Sequence, residues 1–90
     1  MNQWSSGHSE VVLFRPERLE EMERAVYMLQ SQATVVLDLS VLAPEQAQRF
    51  VDFVAGAVFA LDGTVQRVSE RVLVAVPMSV RLSADLDSDS

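Results

Sequence analysis

Apolar residues recur along this chain in two alternating rhythms. Val11–Phe14 (VVLF) is a short continuous apolar run, the pattern of a buried strand, and Arg15-Pro16 ends it. Leu19, Met22, Val26 and Leu29 then recur at helical spacing, with Glu17, Glu20, Glu21, Glu23 and Arg24 on the outer side. Acidic residues in the first turns suit the positive end of a helix dipole. This helix is predicted to end near Gln32. Residues 34–39 (TVVLDL) are β-branched and almost continuously apolar, which predicts a central strand buried on both faces. Pro44 opens a second helix, reaching about Leu61, where Asp62-Gly63 stops it. Gly63 is the expected left-handed cap or turn residue. Residues 64–68 and 71–76 read as two strands of a hairpin, Pro77 interrupts, and residues 80–82 are expected to add a last edge strand. The order β-α-β-α-β-β-β predicts a two-layer α/β sandwich, with two helices packed on one mixed four- to five-stranded sheet. Parallel strands joined through a helix should make right-handed crossovers.

The second helix carries more apolar surface than one sheet needs. At about 100° per residue, Ala47, Phe50, Val51, Val54, Val58 and Leu61 share a stripe that can cover the sheet. Phe53, Gly56, Ala57 and Ala60 lie on another side, with Arg49 and Asp52 beside them. Gly56 and Ala60 are small enough to let a second helix backbone approach. A glycine inside a helix costs about 1 kcal/mol relative to alanine, so Gly56 calls for a reason. Either the domain's own first helix packs there, or another copy of the chain does. The large Phe53 beside Gly56 favours the intermolecular reading. Asp52 is expected to pair with Arg49 on the same helix, a contact worth a few tenths of a kcal/mol.

Composition narrows the function. Ninety residues make one domain with a marginal core, a common reason to dimerise. There is no cysteine, so no disulfide or thiolate metal site can staple it. The net charge is −6, and the seven basic residues, all arginine, are scattered. That balance argues against nucleic acid and against direct adhesion to an anionic membrane. Residues 1–9 are polar and serine-rich, and read as a flexible linker or cloning remnant. Within them Trp4 is an exposed tail residue or a docking anchor. Residues 10–83 form the expected core domain, and residues 84–90 (ADLDSDS) an acidic disordered tail.

Catalytic chemistry is hard to place. His8, the single histidine, lies in the N-terminal segment without oriented partners. No cluster has metal-ligand spacing, and Gly7, Gly56 and Gly63 form no phosphate loop. Asp38, inside a buried-looking strand, is either a site residue or a partner for the loop that follows; the second reading is favoured. No cofactor, metal or enzymatic activity is expected.

The stretches TVVLDLS and EQAQRFVDFVAGAVFALDGTVQRVSERVLVAVP resemble the core domain of the SepF family of bacterial cell-division proteins, which link FtsZ to the membrane. VVLFRP and LEEMERAVYMLQ fit the same layout, so the resemblance runs over residues 11–82. The run R-x-V-D-F-x-x-G, the following A-L-D-G, then Q-R-V and a strand ending in V-P are the specific part. The resemblance implies a non-enzymatic adaptor whose core dimerises, associates further, and binds the C-terminal peptide of FtsZ. It implies action in the cytoplasm at the division site. Membrane contact in the family goes through an N-terminal amphipathic helix. Residues 1–9 cannot replace that helix, so the chain is expected to be a core fragment or to rely on another anchor.

Residue by residue, Gly56 matches the family's helix glycine, at whose surface copies associate. Arg67 and Leu73 match the basic and the usually aromatic positions of the FtsZ-peptide pocket. Leucine there shrinks the contact, while arginine in place of lysine keeps the charge and adds planar hydrogen bonding. Residues 67 and 73 share a sheet face if they pair directly. That is expected from a Val68–Val72 pair and a three-residue loop, Ser69-Glu70-Arg71, whereas a two-residue loop would put them on opposite faces. A second resemblance is to STAS-like anti-anti-sigma domains, which also carry V-x-L-D-L-S before a helix. Their phosphorylatable D-S-S-G-like motif corresponds here to SVLAPEQ, with only Ser40 able to receive phosphate and Pro44 at the helix start.

Overall fold

The computed structural model describes residues 10–86. The apolar run VVLF forms β1 (Val11–Phe14), and a single 3-10 turn at Leu19–Glu21 leads into α1 (Met22–Gln30). The Glu21 carboxylate accepts the Glu17 amide at 2.7 Å and the Arg18 amide at 3.3 Å, capping this turn. β2 (Thr34–Asp38) follows, then α2 (Pro44–Ala60), β3 (Thr64–Ser69) and β4 (Val72–Val76). The sheet order is β1-β2-β4-β3, with β1 and β2 parallel and both other pairs antiparallel.

The expected fifth strand does not form. β4 lies inside the sheet, so chain leaving it would have to cross to a free edge to pair again. Pro77 has no N–H to continue a ladder, and Val80 instead donates to the Pro77 carbonyl at 3.0 Å in a turn. Residues 81–86 carry neither helix nor strand.

Both helices cover one face of the sheet. Val35 and Leu37 of β2, Leu73 and Ala75 of β4, Ala25 and Leu29 of α1, and Phe50, Val54 and Val58 of α2 form the core. The α2 stripe is thus largely as its spacing predicts, except that Leu61, at the helix end, is 36% exposed. α1 turns its Ala25–Leu29 edge inward and leaves Val26 only half-buried. β2 is central, but it is fully buried on one face only. Val36 and Asp38 point to the side without helices and stay partly exposed.

Two turns differ from expectation. Asp62, not Gly63, takes the left-handed conformation after α2, with φ 60°. Gly63 is needed for space: a Cβ there would collide with the Val76 carbonyl oxygen and come within 3.2 Å of Val58 Cγ1. In the hairpin the expected Val68–Val72 pair is absent. Arg67 pairs with Leu73 and Ser69 with Val72, leaving an irregularity at Val68 and a two-residue turn, Glu70-Arg71. The extra residue offsets the shorter turn, so parity is kept and Arg67 and Leu73 still share a face.

Candidate functional site

The register draws one row of side chains across the helix-covered face: Phe14, Leu37, Leu73 and Arg67. The first three are buried, and Leu73 is only 2% exposed. The row ends at the edge strand β3 with Arg67 in solvent. The two residues proposed from sequence for peptide contact are therefore neighbours with different surroundings. Arg67 offers its guanidinium at the surface, whereas Leu73, expected as the apolar peptide contact, is packed in the core behind it and presents no surface to a peptide.

Arg67 does not swing free. Its Nη1 donates to the Glu70 carbonyl at 2.7 Å, folding the side chain along the hairpin turn. Arg71, the next turn residue, is anchored inward. Its carbonyl accepts the Leu39 amide at 2.8 Å. Its Nη1 donates to the Leu42 carbonyl at 3.2 Å and the Leu39 carbonyl at 3.4 Å. Nothing in the sequence pattern singled out Arg71, because both acceptors lie about 30 positions away and are brought close only by the sheet.

The outer side of α2 presents Phe53, Gly56 and Ala60 to solvent, with Ala57 half-buried. A Cβ built on Gly56 meets nothing within 4 Å. The domain's own first helix therefore does not explain this glycine. Phe59, which the sequence reading left out of this face, is 84% exposed, against 39% for Phe53. It lies about 120° from Phe53 around the helix, outside the stripe of Phe53, Gly56, Ala57 and Ala60. Asp52 accepts Gln48 Nε2 at 2.9 Å, in place of the expected Arg49 partner.

The helix-free face of the sheet is a third feature. Val11 and Leu13 are 61% and 80% exposed, and Val36, Val72 and Val74 beside them are half-buried. Leu13, Arg15, Val36, Asp38 and Val72 line a shallow concavity of about 400 Å³. The strand sequences do not mark this side, because VVLF and TVVLDL are almost continuously apolar; it is bare because both helices cover the opposite face.

Asp38 answers its own question. Oδ1 accepts the Ser40 amide at 3.0 Å, and Oδ2 accepts Arg15 Nε at 2.8 Å. The Ser40 hydroxyl and amide, then Arg15, pull its carboxyl down to about 2. A carboxylate so held orders the loop before α2, as the structural reading expects. Among the described residues no three His, Cys, Asp or Glu side chains converge as metal ligands. Among the described residues, too, no helix is long and apolar enough to cross a membrane. Trp4 and His8 lie outside the described residues.

Element order and sheet order define a small two-layer βαβαββ sandwich domain that leaves one apolar sheet face bare. The SepF family, described as cell division protein SepF, matches residues 11–82. The chain belongs to that family. It is similar to cell division protein SepF of Synechococcus elongatus, 45% identical over 78 residues, covering 87% of this chain and 41% of the relative. The Trichodesmium erythraeum protein is 46% identical over 77 residues, covering 86% and 37%. The chain thus spans about two-fifths of the length of these relatives. Among solved structures, a SepF-like protein from Archaeoglobus fulgidus matches with TM-score 0.77 at 11% identity, covering 86% of this chain and 95% of its own. SepF from Methanobrevibacter smithii, solved in complex with FtsZ-CTD, matches with TM-score 0.65 at 21% identity, covering 84% and 99%. Family membership sets aside the anti-anti-sigma alternative.

Proposed function

We propose that this domain is a non-enzymatic division adaptor that dimerises, captures the C-terminal peptide of FtsZ and gathers its filaments at the septum. The observation that carries this reading is the fold shared with the M. smithii SepF that was solved with FtsZ-CTD, inside the family to which this chain belongs. In this reading Arg67 supplies the charge that meets the peptide, and Leu73 holds its strand in place from the core side. The domain works in the cytoplasm at the division site, with membrane contact left to a separate amphipathic helix. Two sites per dimer let it bridge filaments, and tethering to a filament raises effective concentration, so weak single contacts suffice.

Two surfaces support self-association. The bare sheet face, with Val11, Leu13, Val36, Val72 and Val74, suits the dimer, because burying it takes five neighbouring apolar side chains out of water. The α2 face with Phe53, Gly56, Ala57 and Ala60 suits a second contact. A two-fold axis through Gly56 would lay two α2 helices antiparallel. Phe53 and Phe59 sit three positions before and after Gly56 and about 60° to either side of it. Two isologous contacts on opposite layers build open chains of dimers.

Titration of the purified domain with FtsZ C-terminal peptide tests the central claim. Saturable binding is expected. No binding at millimolar peptide, with the dimer intact by sedimentation, overturns it.

A further inference from the structure

We propose that Arg71 is a positioning residue for Arg67, a clamp that aims the Arg67 guanidinium before any peptide arrives. The inference rests on the reading of Arg67 as the charged peptide contact. Arg71 is tied at both ends. Its carbonyl takes the Leu39 amide, and its Nη1 bridges the Leu39 and Leu42 carbonyls. Leu39 and Leu42 are 1% and 3% exposed, so the anchor point belongs to the core and moves little.

The clamp reaches Arg67 through one peptide plane. The Glu70 carbonyl and the Arg71 amide share that plane, so holding Arg71 fixes where the Glu70 oxygen points. That oxygen is the acceptor for Arg67 Nη1 at 2.7 Å. The strand itself gives Arg67 little guidance, since β3 is a sheet edge and its ladder is broken just after Arg67. A guanidinium has five N–H donors in a rigid fork. With one Nη1 hydrogen turned to Glu70, the rest of the fork suits a carboxylate of the incoming peptide. Ordering the side chain in advance lowers the entropy lost on binding.

The test uses the full chain and the FtsZ C-terminal peptide, with affinities from fluorescence anisotropy for wild type, Arg67→Ala, Arg71→Met and the double variant. Arg71→Met keeps the aliphatic stem and removes the donors. It is expected to weaken binding roughly two- to tenfold, the range for one immobilised long side chain, and to add nothing in the Arg67→Ala background. Without peptide, the Arg67 Nε–H heteronuclear NOE should fall in Arg71→Met while the β3 and β4 backbone amides keep theirs. Arg71→Lys, whose ammonium can donate to the same carbonyls, should restore both readings and covers the case in which Arg71→Met does not fold. Additive losses, an unchanged NOE in a folded Arg71→Met, or a folded Arg71→Lys that behaves like Arg67→Ala overturns the proposal. Wild type that fails to bind peptide overturns the function reading instead, and the peptide-free NOE still decides whether Arg71 orders Arg67.

Discussion

Asp38 shows how a charge in a strand is put to structural use. Its carboxylate is held by Ser40 and Arg15, and its folded-state value near 2 lies below the ordinary 3.8. A lowered carboxyl stabilises the fold fully above its unfolded value, and that contribution disappears as pH falls through the folded one. Urea melts of wild type and Asp38→Asn should therefore differ at pH 6, with the gap closing as pH falls from about 4 to about 2. A gap that stays constant across that window would detach Asp38 from acid stability. Gly63 shows the opposite kind of demand, for space rather than charge. Gly63→Ala drives a methyl into the Val76 carbonyl and toward Val58. It should cost about 1–3 kcal/mol, the usual range for overpacking, read as a lower urea midpoint.

Helix α2 divides its surface between a core side and a solvent side, and Gly56 belongs wholly to the second. Since a Cβ there meets nothing, Gly56→Ala should stabilise the isolated domain by about 0.5–1 kcal/mol through helix propensity alone. Gly56→Lys should leave the domain folded by circular dichroism and reduce assembly beyond the dimer in sedimentation. Unchanged assembly size in Gly56→Lys would remove this face from self-association. The hairpin divides its labour in a similar way. Leu73 lies in the core row and Arg67 outside it, so Leu73→Ala should cost about 2–5 kcal/mol as a cavity. Arg67→Ala should leave the melting temperature nearly unchanged.

The whole molecule is a sandwich with one filling. Both helices lie on one side of the sheet, and the other side keeps Val11 and Leu13 in water. A lone domain of this size buries barely enough surface to fold, which is why the bare face suits a dimer. Leu13→Glu places a charge on the β1 edge of that face without touching the core, since Leu13 is 80% exposed. The variant should remain folded as a monomer, with dimerisation weakened at least tenfold in sedimentation equilibrium. A Leu13→Glu dimer as tight as wild type would move the interface elsewhere.

The succession of strands and helices was legible because short continuous apolar runs and apolar spacing of 3.6 residues are local properties, readable without knowing any neighbour. The core side of α2, the turn residues around Asp62-Gly63 and the loop role of Asp38 followed from the same local rules. The rest depended on distant parts of the chain meeting. The bulge at Val68 answers the register of β4 against β2. Gly63 is required by the Val76 carbonyl, and Arg71 matters because Leu39 and Leu42 arrive beside it. The exposure of Phe59 and of the bare sheet face appears only once both helices have settled on one side. Spacing along a chain carries periodicity, whereas contact between segments is set by packing in three dimensions, which no local pattern contains.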